Sequence, residues 1–102
     1  MKIRAKNGEQ TVDITLPATD MDIQYCMKCI GIEDIVPVCC ISEVWDEPSY
    51  FGFLKGQTIS MDELNFFARR LDGMTEYEKR VVGVYSSETG MREMKQMINL
   101  TY

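Results

Sequence analysis

Two kinds of side chain in this 102-residue sequence have the type and spacing for chemistry: four cysteines and several paired carboxylates. Cys26-Met27-Lys28-Cys29 has the spacing of a zinc knuckle, and Cys39-Cys40 follows shortly after. A four-cysteine zinc site needs its thiolates to converge on a tetrahedron. Cys26 and Cys29 share one face of a helix, which suits that geometry. Cys39 and Cys40, adjacent in a strand, point to opposite faces of a sheet, so at most one of them reaches the helix. A redox Cys-x-x-Cys needs its nucleophile at a helix N-terminus, where the dipole lowers the thiol pKa. Cys26 falls about two turns inside its helix. The four thiols therefore read as small apolar core residues, with no metal and no cofactor.

Carboxylates pair at Asp20/Asp22, Glu33/Asp34, Glu43/Asp46/Glu47 and Asp62/Glu63. Glycosidase or aspartyl chemistry needs two carboxyls held in a cleft of matched geometry, and nothing in the pattern marks one. The chain has no histidine, phosphate loop, dinucleotide fingerprint or nucleophile elbow. No residue is assigned a catalytic role, and the expectation is a protein that is not an enzyme.

Charge is distributed unevenly. Residues 1–8 carry Lys2, Arg4 and Lys6 and no acid. Residues 9–54 carry Glu9, Asp13, Asp20, Asp22, Glu33, Asp34, Glu43, Asp46 and Glu47 against one base, Lys28. The remainder is balanced, so the net charge of −5 belongs to the first half. That sign argues against direct nucleic-acid binding through phosphate contacts and favours either a solvated acidic face or a partner with a basic surface.

The elements that position these groups follow from local pattern. Lys2–Lys6 and Gln10–Leu16 alternate around Asn7-Gly8, which predicts a hairpin with a type I′ turn. Pro17 ends the second strand. Thr19 is an N-cap with Asp20 and Asp22 in the first turn, and Ile23, Cys26, Met27 and Ile30 form an apolar face over a helix from about Asp20 to Ile30. Gly31 is its stop. Ile35–Trp45 is β-branched and apolar, a third strand with Pro37 near its start. Ser60-Met61-Asp62-Glu63 is a capping box before the stripe Met61, Leu64, Phe67, Ala68 and Leu71, which Gly73 closes. Thr75-Glu76-Tyr77-Glu78 is a second capping box, opening a helix to about Tyr85. Val81-Val82-Gly83-Val84 within it also fits a strand. Met91, Met94, Ile98 and Thr101 carry helical spacing over Gly90–Leu100.

The fold class is α+β: an N-terminal ββαβ unit with a three-stranded antiparallel sheet, then about three short helices. Residues 1–54 form the acidic subdomain and 55–102 the helical one, packed as one unit. The opening residues lack the apolar core of a signal peptide and no run is long enough for a membrane span. Four cysteines without a secretion signal read as reduced thiols, so the cytoplasm is the expected compartment.

From Leu16-Pro17-Ala18-Thr19 onward the chain resembles ArdA-type antirestriction proteins, particularly divergent forms carried on conjugative elements of Gram-positive gut bacteria. The matching pieces include Ile30-Gly31-Ile32, the block from Ile59 to Leu71 and the ending Met97-Ile98-Asn99-Leu100-Thr101; Asp62–Leu71 is the most specific. The resemblance implies an acidic, often dimeric DNA mimic of a mobile element. Such a mimic occupies the DNA-binding groove of type I restriction–modification enzymes. By resemblance, its array would draw on Asp20, Asp22, Glu33, Asp34, Glu43, Asp46, Glu47, Asp62 and Glu63. The helical half departs from the pattern, with Arg69, Arg70, Lys79 and Arg80 where a mimic avoids bases. The chain stops at Tyr102, shorter than the family and without a Gly or Pro stop signal, as a fragment would. The alternative is an accessory interaction domain anchored by an aromatic loop of Trp45, Tyr50, Phe51 and Phe53.

Overall fold

The computed structural model describes residues 1–45, 50–90 and 93–102. Strands β1 (Lys2–Asn7) and β2 (Gln10–Thr15) form the hairpin, with Lys2 opposite Thr15 and Asn7 opposite Gln10. Gly8 is the only residue of the turn at positive φ, +63°. A type I′ turn needs two positive φ angles, so the turn has instead the pattern of a II′ turn with Gly8 first. Asn7 keeps strand geometry and turns its side chain elsewhere. Its Nδ2 donates to the Ile30 carbonyl at 2.8 Å. That bond ties the hairpin to the end of helix α1 (Asp20–Cys29).

Helix α1 begins and ends as its sequence dictates. Thr19 accepts from the Asp22 N–H at 3.1 Å, and Ile23 and Met27 enter the core. At the other end Gly31 takes φ +79°. Its N–H donates to Lys28 at 3.0 Å while the Ile32 N–H donates to Met27 at 2.9 Å, the bond pair of a Schellman motif.

Strand β3 (Val38–Trp45) starts three residues later than the apolar run suggests. Pro37 has no N–H for a ladder, and Ile35 and Val36 are left exposed in the preceding loop. β3 pairs with β1 across a register shift: Arg4 faces Glu43, but Ala5 faces Ile41. Ser42 is the extra residue of this bulge, so Ile41 and Val44 both turn towards the core. A fourth strand, β4 (Thr58–Ser60), joins the other side of β3, giving the order β2-β1-β3-β4. The sheet thus has four strands rather than three. Three residues carry too little periodicity to be read from sequence, and β4 comes from the second half of the chain.

Ser60 ends β4 and caps helix α2 (Met61–Asp72), accepting from Glu63 N–H at 3.5 Å. Phe67 of its stripe packs edge-on to Phe51, ring centroids 5.6 Å apart. Phe51 directly precedes a short 3-10 turn, Gly52–Leu54. Helix α3 (Glu76–Glu88) carries the full capping box: Thr75 Oγ1 accepts from Glu78 N–H at 3.2 Å and Glu78 Oε1 accepts from Thr75 N–H at 3.0 Å. These bonds from Thr75 hold the Glu78 carboxyl below its ordinary pKa. The Val81–Val84 segment is helical, and Gly83 lets it approach the chain at Tyr50, whose carbonyl would lie 2.7 Å from an added Cβ. Helix α4 (Met94–Asn99) is shorter than its methionine spacing predicts; Met91 lies outside the described residues. Met94 and Met97 are buried. Arg70 holds the chain end, donating from Nη2 to the Thr101 carbonyl at 2.6 Å and from Nε to its hydroxyl at 3.1 Å.

One core joins both halves of the chain: Ile3, Ile14 and Ile41 from the sheet, Ile23 and Met27 from α1, Leu64 and Phe67 from α2. No helix among the described residues is long and apolar enough to cross a membrane.

Asn65 is a polar residue sealed beside this core, 2% exposed. Its Oδ1 accepts from the Ala18 N–H at 2.9 Å and its Nδ2 donates to the Ala18 carbonyl at 3.0 Å. Asn65→Ala leaves the Ala18 N–H unmet and should cost about 2 kcal/mol, read as a lowered urea midpoint. Gln24→Ala, on the exposed face of α1, should stay within ~0.5 kcal/mol of the parent.

Candidate functional site

The Asn65 bonds fix where α1 starts against α2, and a groove of about 380 Å³ lies between the two helices. Its walls include Asp20 and Ile23 of α1, Ile35 of the following loop, and Asp62, Phe66 and Arg69 of α2. Each acid is there for a local reason: both helices carry carboxylates in the first turn, where unsatisfied N–H groups favour negative charge. The folding of α1 against α2 then brings the two starts to one groove.

Two of the acids named from the sequence, Asp20 and Asp62, line this groove. Asp22 shares the first turn of α1, while Glu63, in the first turn of α2, lines a separate hollow beside β4 and α4 with Glu93 and Lys95. Glu33 and Asp34 are exposed in the chain just before Ile35. Glu43 does not join them. It stands on the sheet face away from the core, where Lys55 Nζ approaches it at 3.0 Å. Asp46 and Glu47 lie outside the described residues.

Arg69 interrupts the acidic surface. Its Nη2 stands 3.9 Å from Asp20 and donates to the Ala18 carbonyl at 3.4 Å. Both side chains of the pair are well exposed, so their attraction is weak. The groove is also apolar: Ile35 is 95% and Phe66 40% exposed. Sequence reasoning passed over both. Phe66 could have been found as an aromatic residue off the core stripe of an otherwise amphipathic helix.

The aromatic anchor does not assemble as one patch. Phe51 is buried against Phe67, Tyr50 and Phe53 are half-buried beside it, and Trp45 lies apart on the outer face of the sheet. The buried side of the loop is part of the core because its rings fill space that α2 and α3 leave between them.

The thiols are dispersed. Cys39 is buried on the core face and Cys40 half-buried on the other, while Cys29 is exposed and Cys26 half-buried on α1. Among the described residues no three His, Cys, Asp or Glu side chains gather as metal ligands would. Burial pushes the Cys39 thiol from 9.0 up to about 11, with the neighbouring Cys40 adding to the shift. Burial also raises Cys26. What the groove offers is carboxylate charge beside apolar contact.

The thiol placement sets a pH dependence. The Cys39 pKa is higher folded than unfolded, so its contribution to stability is complete below about pH 9 and is lost as pH rises towards 11. Cys39→Ala should flatten this alkaline loss in urea titrations. At pH 8, iodoacetamide should alkylate Cys29 first and Cys39 last, as followed by mass spectrometry of the intact and digested protein. No family model, curated protein or solved structure matches the chain.

Proposed function

We propose that the protein is a non-enzymatic DNA mimic of the antirestriction kind, presenting the acids around the α1–α2 groove to the DNA-binding groove of a type I restriction–modification enzyme. The observation that carries the reading is the meeting of two helix starts, with Asp20 and Asp62 on the walls of one groove. The resemblance of the Asp62–Leu71 block supplies the identity of the target. The acids would occupy positions that phosphates take on DNA, displacing the enzyme's bound anions and releasing its counterions. Ile35 and Phe66 add apolar contact that a phosphate backbone lacks. Arg69 works against the mimicry, since a basic groove repels it. Arg70 does not take part, because Thr101 holds its guanidinium.

Neutralising Asp20, Asp22 and Asp62 to Asn together with Glu63→Gln should weaken inhibition of a type I complex at least tenfold. The loss of first-turn charge costs ~0.3–1 kcal/mol per residue, so each variant's urea midpoint is measured alongside. Arg69→Gln should leave inhibition unchanged or strengthen it. Parent inhibition should be competitive with duplex DNA and decline as salt rises. Equal inhibition by a folded, neutralised variant, or inhibition indifferent to salt, rejects the mimic.

A further inference from the structure

The sheet has a second face, and its chemistry is opposite to that of the helix side. Ile3 and Ala5 of β1 point into the core, so Lys2, Arg4 and Lys6 point outward. Their neighbours across the ladders are Thr15, Asp13 and Thr11 on β2, and Trp45, Glu43 and Cys40 on β3. Lys2, Lys6, Thr11, Thr15, Trp45 and Thr58 are all exposed to solvent. In a chain of net charge −5, this face carries, among the described residues, Lys2, Arg4, Lys6 and Lys55 against Asp13 and Glu43. Arg4 forks onto Asp13 at 2.7 and 3.2 Å, and Lys55 satisfies Glu43. Lys2 and Lys6 form no ion pair among the described residues.

Trp45 stands within this basic row. Its ring centroid is 5.3 Å from Lys2 Nζ and 5.0 Å from Arg4 Cζ, and the residue is 40% exposed. The two cations hold the indole in place by the ring's quadrupole. Accessible ring surface remains for a further planar group.

We propose that this open sheet face, built on Lys2, Arg4, Lys6 and Trp45, binds single-stranded nucleic acid. Alternate residues of a strand repeat at about 6.6–6.8 Å, a spacing close to that of phosphates along an extended nucleotide chain. One base stacks on Trp45, and the hydroxyls of Thr11, Thr15 and Thr58 face base edges and sugars. A flat sheet face cannot enter the groove of a duplex as a helix does, and paired bases do not expose their faces to a stacking ring. An acidic peptide would satisfy the lysines and leave the indole unused. The site is separate from the acidic groove, which lies across the core, and does not depend on it.

Trp45 is the only tryptophan, so its fluorescence reports this face alone. A 15-residue oligothymidylate, titrated at ~50 mM salt, should quench it saturably, with log K falling by about 1.4 per decade of salt for the two phosphates that Lys2 and Lys6 hold. By anisotropy of the labelled oligonucleotide, Lys2→Gln with Lys6→Gln should weaken binding at least tenfold, and Trp45→Leu by roughly 5- to 100-fold. Both variants change exposed side chains, and a urea midpoint near the parent's identifies the folded protein. The duplex of the same length should bind at least tenfold less tightly. Absence of quenching, unchanged affinity in the lysine variant, or equal binding of the duplex overturns the proposal. Quenching by polyglutamate with equal affinity does so as well, assigning the face to acidic peptides.

Discussion

The seating of α1 against α2 depends on one side-chain amide. Asn65 reads both backbone groups of Ala18, accepting from its N–H and donating to its carbonyl. Ala18 lies between the end of β2 and the cap of α1, where a backbone has neither ladder nor helix to satisfy it. A buried peptide group without a partner is costly, so the bond pair is obligatory once α2 packs there. Its geometry is also selective. Only a side chain with a donor and an acceptor in one plane answers both groups at once, which sets the start of α1 against the middle of α2. The groove between the helices is the space this junction leaves.

The same sheet then keeps two kinds of surface apart. Its core face is covered by helices whose first turns carry acids; its outer face carries the basic residues of β1 and the single indole. Composition averages these into an acidic protein. Folding separates them, because alternation along β1 sends every basic side chain to one side while the helix starts lie on the other. Net charge therefore describes the molecule at a distance, and each surface must be judged from the charges that share it.

Local signals were legible in the sequence. The hairpin, the Thr19, Ser60 and Thr75 caps and the Gly31 stop each need only neighbouring residues. The turn type was not, because Asn7 is claimed by Ile30, which lies 23 positions away. β4 escaped for the same reason: its three residues are strand only because β3 offers them a ladder. Phe51 looked like a loop aromatic and is a core residue, since its place depends on where Phe67 arrives. Of the site, the acids were readable as a set, but their division between groove and outer sheet was not. Glu43 could be assigned to a face only once the register of β3 was known.

That register turns on Ser42. In an uninterrupted strand, side chains that differ by an odd number of positions face opposite ways. Ile41 and Val44 differ by three and nonetheless share the core, because the bulge absorbs one residue between them. The strand therefore changes phase at this point. Paired without the bulge at its present length, the strand would turn Val44 to solvent and the indole of Trp45 inward, whereas a chain lacking Ser42 would alternate regularly and keep both where they are. Beyond this point the two sides of the protein remain chemically distinct only while the bulge forms, which makes the local pairing of β3 with β1, rather than the alternation written in the sequence, the property that matters between Ile41 and Trp45.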